Sequence, residues 1–170
     1  MNHFFKPALK GLTLSILVGL GTTAAAEELS GPYVGISVEP ITYTESSDTN
    51  DLYFEVIDVQ AGFSKVLAND VFVAGEGVYN LHSISSVSEL YGANAKLGLA
   101  LQDNLAIYGL AGLFAVEGDD GGSDDGVSYG AGITYAVTET FQVVGEASFT
   151  EFSGLDKISA KAGAIYSFDL

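Results

Sequence analysis

Hydrophobic and polar residues alternate with a period of two along most of the chain, from residue 31 to residue 168. In the segment 57–64, apolar side chains occupy the odd positions, and Asp58, Gln60 and Ser64 lie on the opposite face. The final segment 157–168 shows the same alternation. A period of two is typical of β-strands that have one apolar and one polar face.

Clusters of polar and turn-forming residues divide this pattern into eight predicted strands. Their ranges are 31–43, 52–66, 71–83, 89–101, 105–117, 126–137, 141–152 and 157–168. The connections after the second, fourth and sixth strands are short, namely AND (68–70), QDN (102–104) and TET (138–140). The others are longer or more polar, as in TESSDTND (44–51) and EGDDGGSDDG (117–126). Short turns at one end and long loops at the other are typical of outer-membrane barrels.

The alternation alone fits a soluble barrel with an apolar core or a membrane barrel with an apolar outer face, and the aromatic residues favour the second. One set lies on the apolar faces near the short turns: Phe63, Tyr135, Phe141, Tyr166 and Phe168. A second set lies near the long loops: Tyr53, Tyr79, Tyr91, Tyr129 and Phe149. Two such rings resemble the girdles at the interfaces of a membrane. The fifth strand is apolar on both faces, so its inward side stays open.

The first 26 residues have the features of a secretory signal peptide. Lys6 and Lys10 precede a short apolar run at 12–20, and three alanines end at Ala26. That run is too short to cross a bilayer as a helix. We expect cleavage after Ala26, which leaves residues 27–170 as a single domain.

The charge of the chain excludes some classes of function. It contains 22 acidic residues, 6 basic residues and no cysteine, with a formal net charge of −16. Nucleic-acid binding is not expected, because such binding depends on neutralising phosphate groups. A disulfide framework is excluded. Hydrophobic residues form 48% of the chain, which argues against a disordered acidic tail.

Charged residues on the polar faces are the first candidates for a functional site. If the apolar faces point to lipid, six such residues point into the barrel: Glu39, Asp58, Glu76, Lys96, Glu146 and Lys161. Two lysines among four carboxylates suggest a salt-bridge network that a proton, water or a bound cation completes. We interpret this network as a structural plug. The alternative is a gated path for protons or cations.

Two other candidates are weaker. The loop 118–126 is rich in carboxylates, which can bind calcium, but it lacks the spacing of an EF-hand. The only histidine after the predicted signal peptide is His82, and Ser83 points to the opposite face of a strand, so no nucleophile–base pair is indicated. Metal-ligand clusters of histidine or cysteine are absent from the sequence, and we predict no metal, no cofactor and no catalysis.

The chain resembles the small outer-membrane β-barrel family that includes the transmembrane domain of OmpA and OmpX. The resemblance covers nearly all of residues 27–170. It rests on Tyr33-Val34-Gly35, on residues 129–132 followed by Tyr135, on Glu146, and on FTEF at 149–152. The last strand is similar to the family's assembly signal, carried here by Lys161, Gly163, Tyr166 and Phe168. Asp169 and Leu170 follow the terminal aromatic residue, which departs from the family's pattern.

The resemblance implies an all-β fold, an eight-stranded antiparallel up-and-down transmembrane β-barrel in the outer membrane of a Gram-negative bacterium. It implies contact with outer-membrane lipids, lipopolysaccharide and the outer-membrane assembly machinery, and a monomeric state. We expect a non-catalytic structural or surface-interaction role, in which acidic loops contact divalent cations or host surfaces. The alternatives are a narrow gated pore and, third, an enzyme that modifies lipid A.

Overall fold

The computed structural model describes residues 27–44, 52–81, 87–118, 122–153 and 156–168. These residues form a closed barrel of eight strands in which each strand is hydrogen-bonded to its neighbours in sequence and β1 pairs with β8. The strands are β1 (Gly31–Thr44), β2 (Leu52–Val66), β3 (Val71–Asn80), β4 (Val87–Gln102), β5 (Leu105–Gly118), β6 (Ser123–Ala136), β7 (Phe141–Glu151) and β8 (Asp156–Ser167). All pairings are antiparallel.

The predicted fold class and all eight predicted strands are confirmed. The largest differences in their limits occur at the long-loop end, where β3 ends three residues earlier and β6 begins three residues earlier than predicted. The predicted signal peptide and much of the long loops lie outside the described residues, so cleavage after Ala26 stays a prediction.

The three short connections define one end of the barrel, here called the short-turn end. Residues Ala68–Asp70 form a 3-10 turn in which Asn69 and Asp70 have positive φ angles of 62° and 59°. Asn and Asp tolerate this left-handed conformation better than most residues. A two-residue turn at 103–104 joins β4 to β5, and a bend at 137–140 joins β6 to β7.

The outer face of the barrel is apolar around its circumference. Large hydrophobic side chains such as Leu97, Leu113 and Ile158 are more than half exposed. Soluble monomers rarely expose continuous apolar patches of this size, so the surface is suited to an apolar surrounding. Several predicted ring aromatics lie exposed on this face: Tyr79, Tyr129, Tyr135, Phe141, Tyr166 and Phe168.

The structure decides the orientation of β5, which the sequence left open. Ala106, Tyr108 and Leu110 are buried inside the barrel, whereas Ile107 and Leu113 are exposed on the outer face. The register aligns Tyr108 with Gly98 on β4 and with Gly132 on β6. A Cβ atom on Gly132 would lie only 2.7 Å from the Tyr108 ring, so the missing side chain makes room for that ring.

An apolar cluster fills the barrel interior at and above the short-turn end. It contains Leu29, Tyr33, Val66, Phe72, Ala106, Tyr108, Leu110, Ala136, Val144 and Ile165. The rings of Phe72 and Tyr108 stack with centroids 5.5 Å apart. The inward faces near the short-turn end therefore carry apolar side chains together with polar ones such as Ser64, Thr134 and Gln142.

A short N-terminal segment closes the short-turn end. Residues Glu27–Leu29 form a 3-10 helix, and Leu29 is completely buried in the apolar cluster. The Ser64 hydroxyl donates a hydrogen bond of 2.8 Å to the Leu29 carbonyl, and the Gln142 amide donates one of 3.1 Å to the Glu28 carbonyl. Interior side chains therefore satisfy the backbone of this segment, as buried carbonyl groups require.

None of the helices in the described ranges is long and apolar enough to cross a membrane.

Candidate functional site

Four charged side chains meet inside the barrel and are here called the central quartet: Glu76, Lys96, Glu146 and Lys161. The strands β3, β4, β7 and β8 supply one residue each, because their inward faces carry the polar positions. The Lys96 Nζ atom lies 2.8 Å from Glu76 and 2.6 Å from Glu146. The Lys161 Nζ atom lies 2.6 Å from Glu146 and 3.8 Å from Glu76. The quartet is electrically balanced, with two carboxylates and two ammonium groups.

Uncharged polar groups complete the hydrogen bonding of the two carboxylates. The Tyr33 hydroxyl donates a 2.9 Å bond to Glu76, and the Tyr108 hydroxyl donates a 2.7 Å bond to Glu146. The Asn94 side chain donates a 3.1 Å bond to Glu76. Because isolated buried charges are costly, such additional donors are what allow a buried ion pair to persist.

The quartet is shielded from solvent. The side chains of Glu76, Lys96, Glu146 and Lys161 are at most 8% exposed. The Lys96 ammonium group also lies 5.1 Å from the centre of the Tyr108 ring, within the range of a cation–π contact. Tyr33 and Tyr108 therefore connect the apolar cluster below to the charges above.

A second charged group, here called the upper trio, lies nearer the long-loop end. It consists of Glu39 on β1, Asp58 on β2 and Lys157 on β8. The Lys157 Nζ atom lies 2.6 Å from Glu39. Glu39 and Asp58 are both buried, and the Asn80 side chain donates a 3.2 Å bond to Asp58.

The six predicted interior residues all point into the barrel, but they form two groups rather than one. Glu76, Lys96, Glu146 and Lys161 meet, whereas Glu39 and Asp58 lie with Lys157. Lys157 was not among the six predicted residues, although its spacing of four from Lys161 places both on the inward face of one strand. Tyr33 and Tyr108 were not predicted as donors inside the barrel: Tyr108 lies on the strand whose inward side the sequence left open, and Tyr33 was cited only for the family resemblance.

A small cavity lies beside both charged groups. Its volume is about 30 Å³, which is sufficient for a water molecule or a small ion. Its lining includes Glu39, Asp58 and Asn94, with serine and threonine hydroxyls from β6, β7 and β8. The Asn94 Oδ1 atom is buried and has no hydrogen-bond partner.

The other sequence candidates stay predictions, because they lie wholly or partly outside the described residues. Among the described residues, no group of three or more His, Cys, Asp or Glu side chains is arranged to hold a metal ion. His82, Ser83 and residues 119–121 of the acidic loop lie outside the described residues.

The residues of the predicted assembly signal occupy both faces of β8 and the position after it. Lys161 belongs to the central quartet, and Gly163 points inward against Ser37. Tyr166 and Phe168 lie on the outer face, with ring centroids 5.1 Å apart in an edge-to-face arrangement. Asp169 and Leu170 lie outside the described residues.

Replacing Lys96 with Met should destabilise the barrel by about 3–5 kcal/mol, because it leaves two buried carboxylates to share one ammonium group. Adding Glu76→Gln should restore part of this loss, with a coupling of about 1 kcal/mol or more. The chain has no tryptophan, so unfolding in urea would be followed by circular dichroism and by heat-dependent gel mobility. Lys65→Met, outside the quartet, is the matched control. Equal effects of Lys65→Met and Lys96→Met would contradict the role of the quartet.

The comparisons with known proteins agree with this architecture. The family model described as outer membrane protein beta-barrel domain matches residues 12–168. A search of curated proteins gives no significant match. Among solved structures, Ail of Yersinia pestis in complex with the heparin analogue sucrose octasulfate has 17% identity and a TM-score of 0.62, covering 82% of this chain and 100% of that chain.

Two further structures have the same fold. Neisserial surface protein A is 20% identical with a TM-score of 0.58, covering 82% of this chain and 98% of that chain. The N-terminal β-barrel domain of Pseudomonas aeruginosa OprF is 18% identical with a TM-score of 0.54, covering 82% and 99%. The family match spans most of the chain, and the apolar outer face agrees with it. The chain therefore belongs to the outer membrane protein β-barrel domain family and is a transmembrane barrel of the Gram-negative outer membrane.

Proposed function

We propose that this protein is a closed, non-catalytic barrel with a structural or surface-interaction role. The observation that carries the proposal is the filling of its interior at two successive levels. The apolar cluster with Leu29 occupies the short-turn end, which faces the periplasm in barrels of this class. The central quartet occupies the next level.

The cavity beside the quartet supports a closed barrel rather than a pore. It has a volume of only about 30 Å³, and Glu146 and Lys161 of the quartet form part of its lining. Below them lie the buried rings of Tyr33, Phe72 and Tyr108. An ion that crossed the barrel would have to displace both the buried ion pairs and this apolar packing, each at a substantial cost in free energy.

The refolded wild-type protein should give no steady current steps in a planar lipid bilayer. Folding would be checked first by heat-dependent gel mobility, so that an absence of current cannot be caused by unfolded protein. A known porin that is refolded in the same way is the positive control. Steady steps from the folded protein, altered by Lys96→Met, would contradict the closed barrel and favour the gated pore.

A surface-interaction role would depend on the long-loop end, which faces the exterior in barrels of this class. Five exposed carboxylates lie on the outer faces of the strands there: Glu89, Glu117, Asp125, Glu151 and Asp156. The Ail structure contains a sulfated sugar, which is an anionic ligand. The rim of the present barrel has the same sign of charge as such a ligand. We infer that its partners are cationic surfaces, or anionic surfaces reached through divalent cations.

The refolded barrel should therefore bind sucrose octasulfate weakly or not at all at physiological ionic strength, because like charges repel. Isothermal titration calorimetry in detergent, with and without calcium ions, would measure this. Refolded Ail is the matched control. Calcium-independent binding of comparable affinity to both proteins would contradict the charge argument.

We also propose that the terminal strand acts as the assembly signal through Tyr166 and Phe168. Both rings are exposed on the outer face at the periplasmic end. Before insertion, such exposed aromatics at the end of the chain would be accessible to the assembly machinery. Lys161 and Gly163 face the interior, so their contribution would combine recognition with packing against Ser37 and Glu146.

Phe168→Ala should slow assembly in cells several-fold. Phe141→Ala is the matched control, because Phe141 lies on the same face at the same end, with similar exposure, but outside the terminal strand. Pulse-chase labelling followed by heat-dependent gel mobility would measure the rate for both variants. Equal rates for the two variants would contradict the signal, whatever their stability after refolding in vitro.

A further inference from the structure

We propose that the barrel interior binds one additional monovalent positive charge, a proton or an alkali-metal ion, at the paired carboxyl groups of Glu39 and Asp58. These groups have no part in the closure of the barrel by the central quartet. The proposal rests on the balance of buried charges, on the geometry of the carboxyl pair and on the cavity beside it.

The balance of buried charges leaves one negative charge without a partner. Among the described residues, the deeply buried charged side chains are Glu39, Asp58, Glu76, Glu146, Lys96, Lys157 and Lys161. The central quartet uses two carboxylates and two lysines. The upper trio then contains two carboxyl groups and one lysine. A buried uncompensated charge is costly, so one more positive charge is required here.

The geometry of the upper trio places this requirement between Glu39 and Asp58. The Lys157 ammonium group lies 2.6 Å from Glu39, and in the described part of the chain no lysine forms an ion pair with Asp58. Both residues are buried and line the same small cavity, where two ionised carboxylates repel each other unless a proton or a cation lies between them. Asn80 donates a hydrogen bond to Asp58. This bond is compatible with a bound proton and with a bound alkali-metal ion.

The charged groups that surround Glu39 and Asp58 do not compensate the one excess negative charge. They are Lys157 and Lys161 on β8, Glu76 on β3, Lys96 on β4 and Glu146 on β7. The Lys161 ammonium group lies 2.6 Å from Glu146 and 3.8 Å from Glu76, so its charge is shared by the two carboxylates of the quartet. It also donates a 3.2 Å hydrogen bond to the Gln60 side-chain oxygen.

The small cavity beside Glu39 and Asp58 has room for the additional proton or alkali-metal ion. It is lined by both carboxyl groups and has a volume of about 30 Å³, enough for a small ion or a water molecule. Asn94 also lines it, is 7% exposed, and has an Oδ1 atom without a hydrogen-bond partner. Carboxylate, amide and hydroxyl oxygens are the ligands that hard cations prefer.

Asp58→Asn tests the proposal, because it removes one charge, preserves the shape of the side chain and leaves an oxygen to accept the Asn80 bond. Asp103→Asn, in the exposed turn between β4 and β5, makes the same chemical change outside the barrel. The folding equilibrium constant of each protein would be measured in lipid vesicles from about pH 6 to 9, where exposed carboxyl groups stay ionised. A second series would replace choline with sodium at constant ionic strength.

A bound proton and a bound alkali ion give different results. If the folded barrel holds a proton that the unfolded chain releases, its folding constant falls by up to about tenfold per pH unit as the pH rises, without a specific sodium effect. If it holds sodium, the constant rises by up to about tenfold for each tenfold increase in sodium. A dependence of the folding constant on pH or on sodium supports the proposal if the Asp58→Asn protein loses that dependence and the Asp103→Asn protein keeps it. Identical dependences in all three proteins would overturn it.

A spectroscopic measurement on the wild-type protein covers the case in which Asp58→Asn does not fold. A shared proton gives the infrared carbonyl band of an un-ionised carboxylic acid near neutral pH. A bound sodium ion gives broadening of the sodium-23 resonance that potassium reverses. Absence of both signals from folded protein would overturn the proposal.

Discussion

The interior of an eight-stranded barrel is only wide enough to be filled by side chains, so each inward residue must fit its neighbours in volume and in charge. In this barrel the most demanding case is the ion-pair arrangement of Glu76, Lys96, Glu146 and Lys161, which come from four different strands. A shift of register by one residue in any of these strands would turn its charge toward lipid. The quartet thus fixes the alignment of the sheet as well as the charge of its centre.

The rest of the interior is arranged around this quartet. Tyr33 and Tyr108 place their rings in the apolar cluster and their hydroxyl groups on the two carboxylates. Gly62 and Gly132 provide the space for those rings, since a Cβ atom at either position would approach them to 2.7 Å. At the short-turn end, Leu29 of the N-terminal segment packs into the apolar cluster. Polar bonding and apolar packing therefore depend on the same two tyrosines.

The outer and inner surfaces of the barrel have separate roles. The outer surface is apolar with exposed aromatic residues and faces the lipid of the outer membrane. The inner surface carries the apolar cluster and the buried ion pairs. In the proposed role, a function beyond structure would belong to the long-loop end, where exposed acidic residues would favour cationic partners. This division explains why the fold alone identifies a location and a family but not a ligand.

The sequence by itself determined the strands, the short turns and the inward position of six charged residues, because a period of two assigns each side chain to a face wherever one face is polar. The sequence did not assign the inward side where a strand has no polar face. In β5 both faces are apolar, and only the pairing of Tyr108 with Gly98 and Gly132 assigned the inward side. Periodicity also gives no distance between strands. Only the closed barrel, with its tilt and stagger, separated Glu39 and Asp58 from the quartet and placed Lys157 beside Glu39, because those contacts join residues distant in sequence.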